Sequence, residues 1–135
     1  MLVDTETGAV VELWRRCGLT RPWNDPIEDI AHACRTADAV VLVGREGSAI
    51  VASVIVGFDG HRGWVYYLAV DPASQRHGFG RTMMSAAETW LRDRGAPKLQ
   101  LMVRDTNVAA LGFYERLGFE PQPVVTLGKR LDGKA

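Results

Sequence analysis

The chain has no run of about 18 apolar residues, so no part of it reads as a membrane-spanning helix. It lacks the basic-then-apolar opening of a secretory leader. It has no charge excess: 16 basic residues balance 16 acidic ones, which argues against a nucleic-acid footprint. It has two cysteines, Cys17 and Cys34, too few for a disulfide framework and consistent with a reducing compartment. The expectation is a cytoplasmic protein with neither a membrane nor a nucleic acid as partner. No internal repeat, low-complexity tract or linker divides the 135 residues, the usual size of one domain, so a single domain over residues 1–135 is expected. Most basic residues are Arg rather than Lys, which suits phosphate recognition, although compositional bias is the first explanation.

What is present is ordinary for a globular core, with 47% hydrophobic and 24% charged residues. The apolar spacing Val10, Leu13, Trp14, Cys17 predicts a helix from about Thr5, stopped by Gly18. Asp25-Pro26 with Glu28 predicts a capped second helix, with Ile27, Ile30, Ala31 and Cys34 on its apolar side. Residues 39–44 and 50–58 read as a hairpin, and Trp64–Val70 as the third strand of a meander. A helix follows over 82–94, with Met83, Met84, Ala87, Trp90 and Leu91 facing inward. Leu99–Val103 predicts a strand parallel to the third, Val108–Leu117 a last helix, and Val124–Leu131 a final strand. The order α-α-β-β-β-α-β-α-β implies a mixed sheet with helices on both faces, an α/β (α+β) sandwich.

The stretch joining the third strand to the third helix is Val-Asp-Pro-Ala-Ser-Gln-Arg-His-Gly-Phe-Gly-Arg, residues 70–81. Free N–H groups at a helix start attract anions, and Gly78 and Gly80 let phosphates approach the backbone. Arg76 and Arg81 flank the turn and can bond phosphate oxygens. It is not a Walker A loop, because Gln75 stands where the first glycine is required and Arg81 where the lysine is. Nor is it a dinucleotide fingerprint, because Met83 takes the third glycine position.

Gln75, Gly78 and Gly80 at the end of a strand resemble the acetyl-CoA signature of the GNAT N-acetyltransferase superfamily. Asn107, Ala110, Phe113-Tyr114 and Leu117-Gly118-Phe119 resemble the family's second element, in the right order. The Arg21–Pro26 loop and the Leu-Gly-Lys-Arg-Leu ending resemble the YpeA-like bacterial subgroup. The resemblance covers about residues 39–131 and implies the GNAT fold, a mostly antiparallel mixed sheet between helices. Family members open on a full strand; only Leu2 and Val3 stand before the first helix here, so at most a stub of it is expected.

The resemblance also implies site residues. Backbone groups of Leu68, Ala69 and Val70 would bond the thioester carbonyl and the pantetheine amides. Gln75, Arg76, His77, Gly78, Phe79, Gly80 and Arg81 would hold the pyrophosphate, with His77 otherwise a plain exposed turn residue. Asn107, Ala110 and Tyr114 share one side of their helix, at spacings of three and four. Tyr114 would protonate the departing thiolate, while Phe113 and Leu117 serve the core. The positions where family members carry a strand Glu or His are Trp64 and Tyr66, neither a base at neutral pH. Asp59 and His61 are water-mediated substitutes, or ordinary turn chemistry. Trp23, Asn24, Asp59, His61 and Tyr66 would line the acceptor side, with Trp23 a lid or a cap on the core, and Asp25 a helix cap.

The implied donor is acetyl-CoA, with no metal, because His32 and Cys34 stand two apart on a helix and do not converge. The expected reaction is acetyl transfer to a primary amine, a small molecule or a protein N-terminus, by direct attack. The rival is a non-catalytic acyl-CoA-binding sensor or regulatory module. An exposed strand edge would also give a second copy a place to pair, making a homodimer a further expectation.

Overall fold

The structure is a computed structural model that describes residues 6–75 and 77–133. Leu2, Val3 and Arg76 lie outside the described residues, and with them the stub strand and one cradle arginine. The chain divides into two compact units, residues 1–101 and 102–135.

The first unit holds α1 (Thr7–Arg16), α2 (Pro26–Arg35), β1 (Ala39–Glu46), β2 (Ala49–Phe58), β3 (Gly63–Val70), a 3-10 turn at Pro72–Ser74, α3 (Phe79–Asp93) and β4 (Leu99–Gln100). The sheet order is β1-β2-β3-β4, antiparallel except for the parallel β3–β4 pair. The crossover through α3 requires that last pair to be parallel, as its place in the sequence suggests. β4 is shorter than expected, because its pairing stops at Gly63↔Leu99 and Trp64↔Gln100. Leu101–Val103 therefore have no ladder, and an apolar run without a partner does not become a strand.

Helices α1 and α2 cover one face of the sheet. Val10, Val11, Leu13 and Trp14 of α1 and Ile30 of α2 pack with Val41, Ile50, Ile55 and Ala69. α3 covers the other face through Met83, Met84, Ala87 and Leu91. Trp90, expected inward, is half-buried beneath the Arg94 guanidinium, 3.6 Å from the ring centre. α3 lies so close to β3 that a Cβ at Gly63 would come within 2.6 Å of the Leu91 side chain.

The start of α2 is as its sequence dictates. Asp25 accepts from the Ile27 and Glu28 N–H groups at 3.0 and 3.3 Å, with Pro26 in the first turn. Its apolar side is narrower than expected: Ile30 alone is fully buried, while Ile27 is 59% exposed and Cys34 is exposed. A short helix laid over the sheet presses one row of residues inward, and the flanking rows stay wet.

In the second unit α4 (Val108–Arg116) begins at an Asn107 cap and ends at Gly118, whose φ is +93°. The final strand expected over Val124–Leu131 is not formed. Val124, Val125, Leu127 and Leu131 are 73–92% exposed. β-branched composition predicts strand propensity, but a strand exists only where a neighbour completes its hydrogen bonds.

Candidate functional site

β3 carries an irregularity at its centre. Its register with β2 is Ile55↔Tyr66 on one side and Ser53↔Ala69 on the other, so two residues, Tyr67 and Leu68, oppose Val54 alone. This is a β-bulge, and it reverses the side-chain parity of the strand. Before it, Gly63 points at Leu91 of α3; after it, Ala69 packs in the α1–α2 core. Tyr67 sits in the bulge at φ +54°, the one non-glycine in the left-handed region among the described residues.

The bulge is held from the α1–α2 side. The Tyr67 ring stacks on Trp14, centroids 4.0 Å apart and 5° from parallel. Trp14 is fully buried, and its Nε1–H donates to the Ser53 hydroxyl at 2.8 Å. The Tyr67 phenol donates to Asp29 Oδ2 at 2.6 Å. Burial, then the Asp29 carboxylate, push that phenol well above its ordinary pKa, so it remains a donor at neutral pH. A left-handed tyrosine costs about 1–2 kcal/mol. A ring pair returns roughly 0.5–1.5 kcal/mol and a hydrogen bond to a charged group roughly 1.5–3 kcal/mol. The two contacts outweigh the strain.

Past the bulge the strand presents its backbone outward. The Asp71 N–H donates to the Val51 carbonyl at 2.8 Å. By the alternation of an antiparallel ladder, the polar groups of Ala69 then face β2 and those of Val70 face away from it. The Val70 carbonyl accepts from the Cys17 thiol at 3.2 Å and from Gln75 Nε2 at 3.3 Å. Burial raises the Cys17 pKa, which keeps it a thiol and a donor. Of the three sequence-predicted strand residues, Leu68 thus belongs to the bulge, Ala69 faces β2, and Val70 opens to the far edge, where β3–β4 pairing has already ended.

The cradle follows directly. Asp71 accepts from the Ala73 N–H at 3.0 Å, and Arg16 reaches its other oxygen at 2.9 Å. These bonds fix the turn that lifts the chain off the strand. Gln75 and His77 are exposed. Gly78 then takes φ +80° as the N-cap of α3, and no side chain caps the helix. The first-turn N–H groups, at Phe79, Gly80 and Arg81, so have neither a side-chain cap nor an intrahelical partner. Among the described residues, a Cβ at Gly78 would have no neighbour within 4 Å, so none of them blocks the approach to these groups. Arg81 is exposed beside them. Backbone donors, a left-handed glycine and a helix dipole meet here, an arrangement chemically suited to an anion.

Of the predicted acceptor residues of the first unit, Asp59 and Asn24 have definite partners. Asp59 accepts from the His61 and Arg62 N–H groups at 2.8 and 2.7 Å and from Trp64 Nε1 at 3.1 Å. Bonds from the Arg62 and His61 backbone, ahead of the Trp64 indole, hold its carboxyl below the usual range. Tyr66 is 46% exposed and Trp23 is 45% exposed. Asn24 reaches the Tyr67 phenol. The bulge, with Tyr67 and Asp29, is what sequence reasoning missed. Its one signal is Tyr66-Tyr67 adjacent in a strand, which breaks a period of two.

In the second unit, Asn107 spends its side-chain oxygen capping α4 through the Ala110 N–H at 3.1 Å, leaving its amide NH2. Tyr114 packs edge-on against Phe113 and Phe119, centroids 5.0 and 5.5 Å away. Burial pushes its phenol up to about 12. No residue of α4 is fully buried, Phe113 included. Among the described residues no cluster of His, Cys, Asp and Glu is placed to hold a metal ion.

Residues 8–119 match the model of the Acetyltransferase (GNAT) family. An acetyltransferase of Yersinia enterocolitica is 47% identical over 122 residues, 90% of this chain and 86% of that protein. One from Pectobacterium atrosepticum is 46% identical over 123 residues, 91% of this chain and 87% of that protein. Among solved structures, the ribosomal-protein-S18-alanine N-acetyltransferase of Escherichia coli superposes with a TM-score of 0.76 at 28% identity, over 88% of this chain and 74% of that one. AAC(6')-Iy in complex with a CoA bisubstrate analogue superposes at 0.80 with 13% identity, over 94% and 93%, which is a likeness of fold.

Proposed function

The chain belongs to the GNAT family of acetyltransferases, and from that premise we propose that it moves the acetyl group of acetyl-CoA onto a primary amine by direct attack. The observation that carries this reading is the junction of β3 with α3, an outward-facing strand end followed at once by an uncapped helix N-terminus behind Gly78. That is an amide-bonding edge joined to a pyrophosphate cradle, the two features a pantetheine diphosphate requires.

Each group then has a task. N–H groups from His77 to Arg81 hold the pyrophosphate, with Arg81 adding charge. Val70 offers its outward backbone to the pantetheine amides. The Leu68 N–H stabilises the oxyanion as the neutral amine nitrogen bonds to the carbonyl carbon. The carbon–sulfur bond breaks, and Tyr114, protonated across the physiological range, supplies the thiolate's proton. The attacking nitrogen releases its own proton to water. No covalent intermediate on the protein is needed.

The acceptor side tilts toward an amine of low pKa. With Asp59 committed to three hydrogen bonds, the site has little with which to deprotonate a strongly basic amine. A lysine-like amine, with pKa about 10.4, is neutral in one molecule in about 2,500 at pH 7, a cost of about 4.6 kcal/mol. A peptide α-amine near pKa 8 costs about 1.4 kcal/mol. The 28% identical relative is named for action on a protein's alanine, which favours a peptide N-terminus over a small polyamine. The test is free-thiol release from acetyl-CoA across a panel of peptide N-termini and small amines. Turnover on α-amines supports the reading. Tight acetyl-CoA binding with no turnover on any amine would instead identify a sensor module.

A further inference from the structure

We propose that Asp29 and Trp14 are positioning residues for acetyl transfer, which act through Tyr67 to set the β3 bulge and so aim the Leu68–Val70 backbone. The inference rests on the acetyl-transfer reading for its catalytic consequence, and on geometry alone for the clamp.

Glycine would occupy φ +54° without strain. The chain instead places a tyrosine there and grips it at both ends. Trp14 of α1 lies flat on the ring at 4.0 Å, and Asp29 of α2 takes the phenol at 2.6 Å. Trp14 is in turn tied to Ser53, the residue of β2 that pairs with Ala69 across the sheet. The links run from β2 through α1 to Tyr67 and out to α2, and they close around the point where register shifts. If Tyr67 were released, β3 could slip into regular pairing with β2. A slip of one residue moves every later side chain to the other face and turns the backbone of Val70 inward. The clamp denies that alternative. Strain held by surrounding structure, one residue from a backbone donor, is the pattern of a preorganised site.

The grip of Asp29 requires an acceptor for the phenol, not a negative charge, and this separates positioning from any charge-based role. The full chain is compared as wild type, Tyr67→Phe, Asp29→Ala, Asp29→Asn and the Tyr67→Phe/Asp29→Ala double variant. Tyr67→Phe and Asp29→Ala are expected to lower kcat about tenfold while acetyl-CoA Kd moves less than threefold, because the cradle is intact. The double variant falls no further than Tyr67→Phe alone, which already removes the Asp29 bond together with the Asn24 contact. Asp29→Asn, whose amide oxygen still accepts the phenol, stays within threefold of wild type. Asp29→Asn as damaged as Asp29→Ala would overturn the proposal in favour of charge, as would all four variants within twofold of wild type. Amide hydrogen exchange gives a readout independent of turnover. Exchange at Ala69 and Asp71, the amides past the bulge that face β2, should rise at least tenfold in Tyr67→Phe and Asp29→Ala, with β1–β2 amides unchanged and Asp29→Asn silent. If wild type acetylates no amine, the function reading fails while exchange still decides the clamp, and unchanged exchange at Ala69 and Asp71 refutes it.

Discussion

Gly78→Ala separates the two tasks assigned to that residue, turning the chain and admitting a ligand. The backbone there has φ +80°, and an L side chain in that region costs about 1–2 kcal/mol. The added Cβ meets nothing within 4 Å, so in the free protein strain is the whole cost. For a chain of this size the loss corresponds to a fall in Tm of roughly 3–10 °C. With ligand the balance changes on the proposed reading, in which phosphate oxygens reach the α3 N-terminus through the space the new methyl would occupy. Acetyl-CoA affinity should drop at least tenfold, beyond what the fraction unfolded explains. Two companions isolate the cause. Gly78→Asn tolerates the left-handed region better than Ala, so it should recover part of the stability and none of the affinity. Gly63→Ala drives a Cβ to 2.6 Å from buried Leu91 and should cost about 1–3 kcal/mol by overpacking, with affinity in the folded fraction unchanged. Differential scanning calorimetry and isothermal titration measure both quantities. A folded Gly78→Ala protein that binds acetyl-CoA within twofold of wild type refutes the cradle.

Further outcomes are expected at Tyr114 and at the Trp14–Ser53 pair. Tyr114→Phe should abolish most turnover with acetyl-CoA binding retained. The wild-type pH–rate profile should show no Tyr114-dependent fall near pH 10, because a phenol raised to about 12 keeps its proton until that range; a descending limb near 10 that Tyr114→Phe removes would contradict this. Ser53→Ala leaves the buried Trp14 N–H without its acceptor and should cost about 1–3 kcal/mol in urea unfolding. Trp14→Phe removes the same bond, so the Trp14→Phe/Ser53→Ala double variant should lose less than the sum of the two singles.

The helices and the meander were legible because their signals are local. Asp25-Pro26 announces α2, Gly18 and Gly118 stop two helices, and the hairpin bounds fall within a few residues of the expected ones. The turn into α3 was legible because Gly78 takes a left-handed conformation that other residues adopt only with strain. What could not be read depends on distant partners. Val124–Leu131 has strand composition and no ladder, and the strand expected over Leu99–Val103 is formed only at Leu99–Gln100. The bulge was hidden for the same reason. Nothing near Tyr67 in sequence reveals that Trp14, 53 residues earlier, lies against its ring. Asn107 reads as a ligand contact in its motif, and its side-chain oxygen is spent starting a helix.

The reversal of parity in β3 has a consequence for how this chain can diverge. The first half of the strand answers to α3, where Gly63 leaves room for Leu91, and a larger residue at one position demands a smaller one at the other. The second half answers to α1, where Ala69 lies across from Ser53 beneath Trp14. Substitutions should therefore covary within each half and drift independently between them. One strand carries two lineages of compensating change, joined at a single tyrosine.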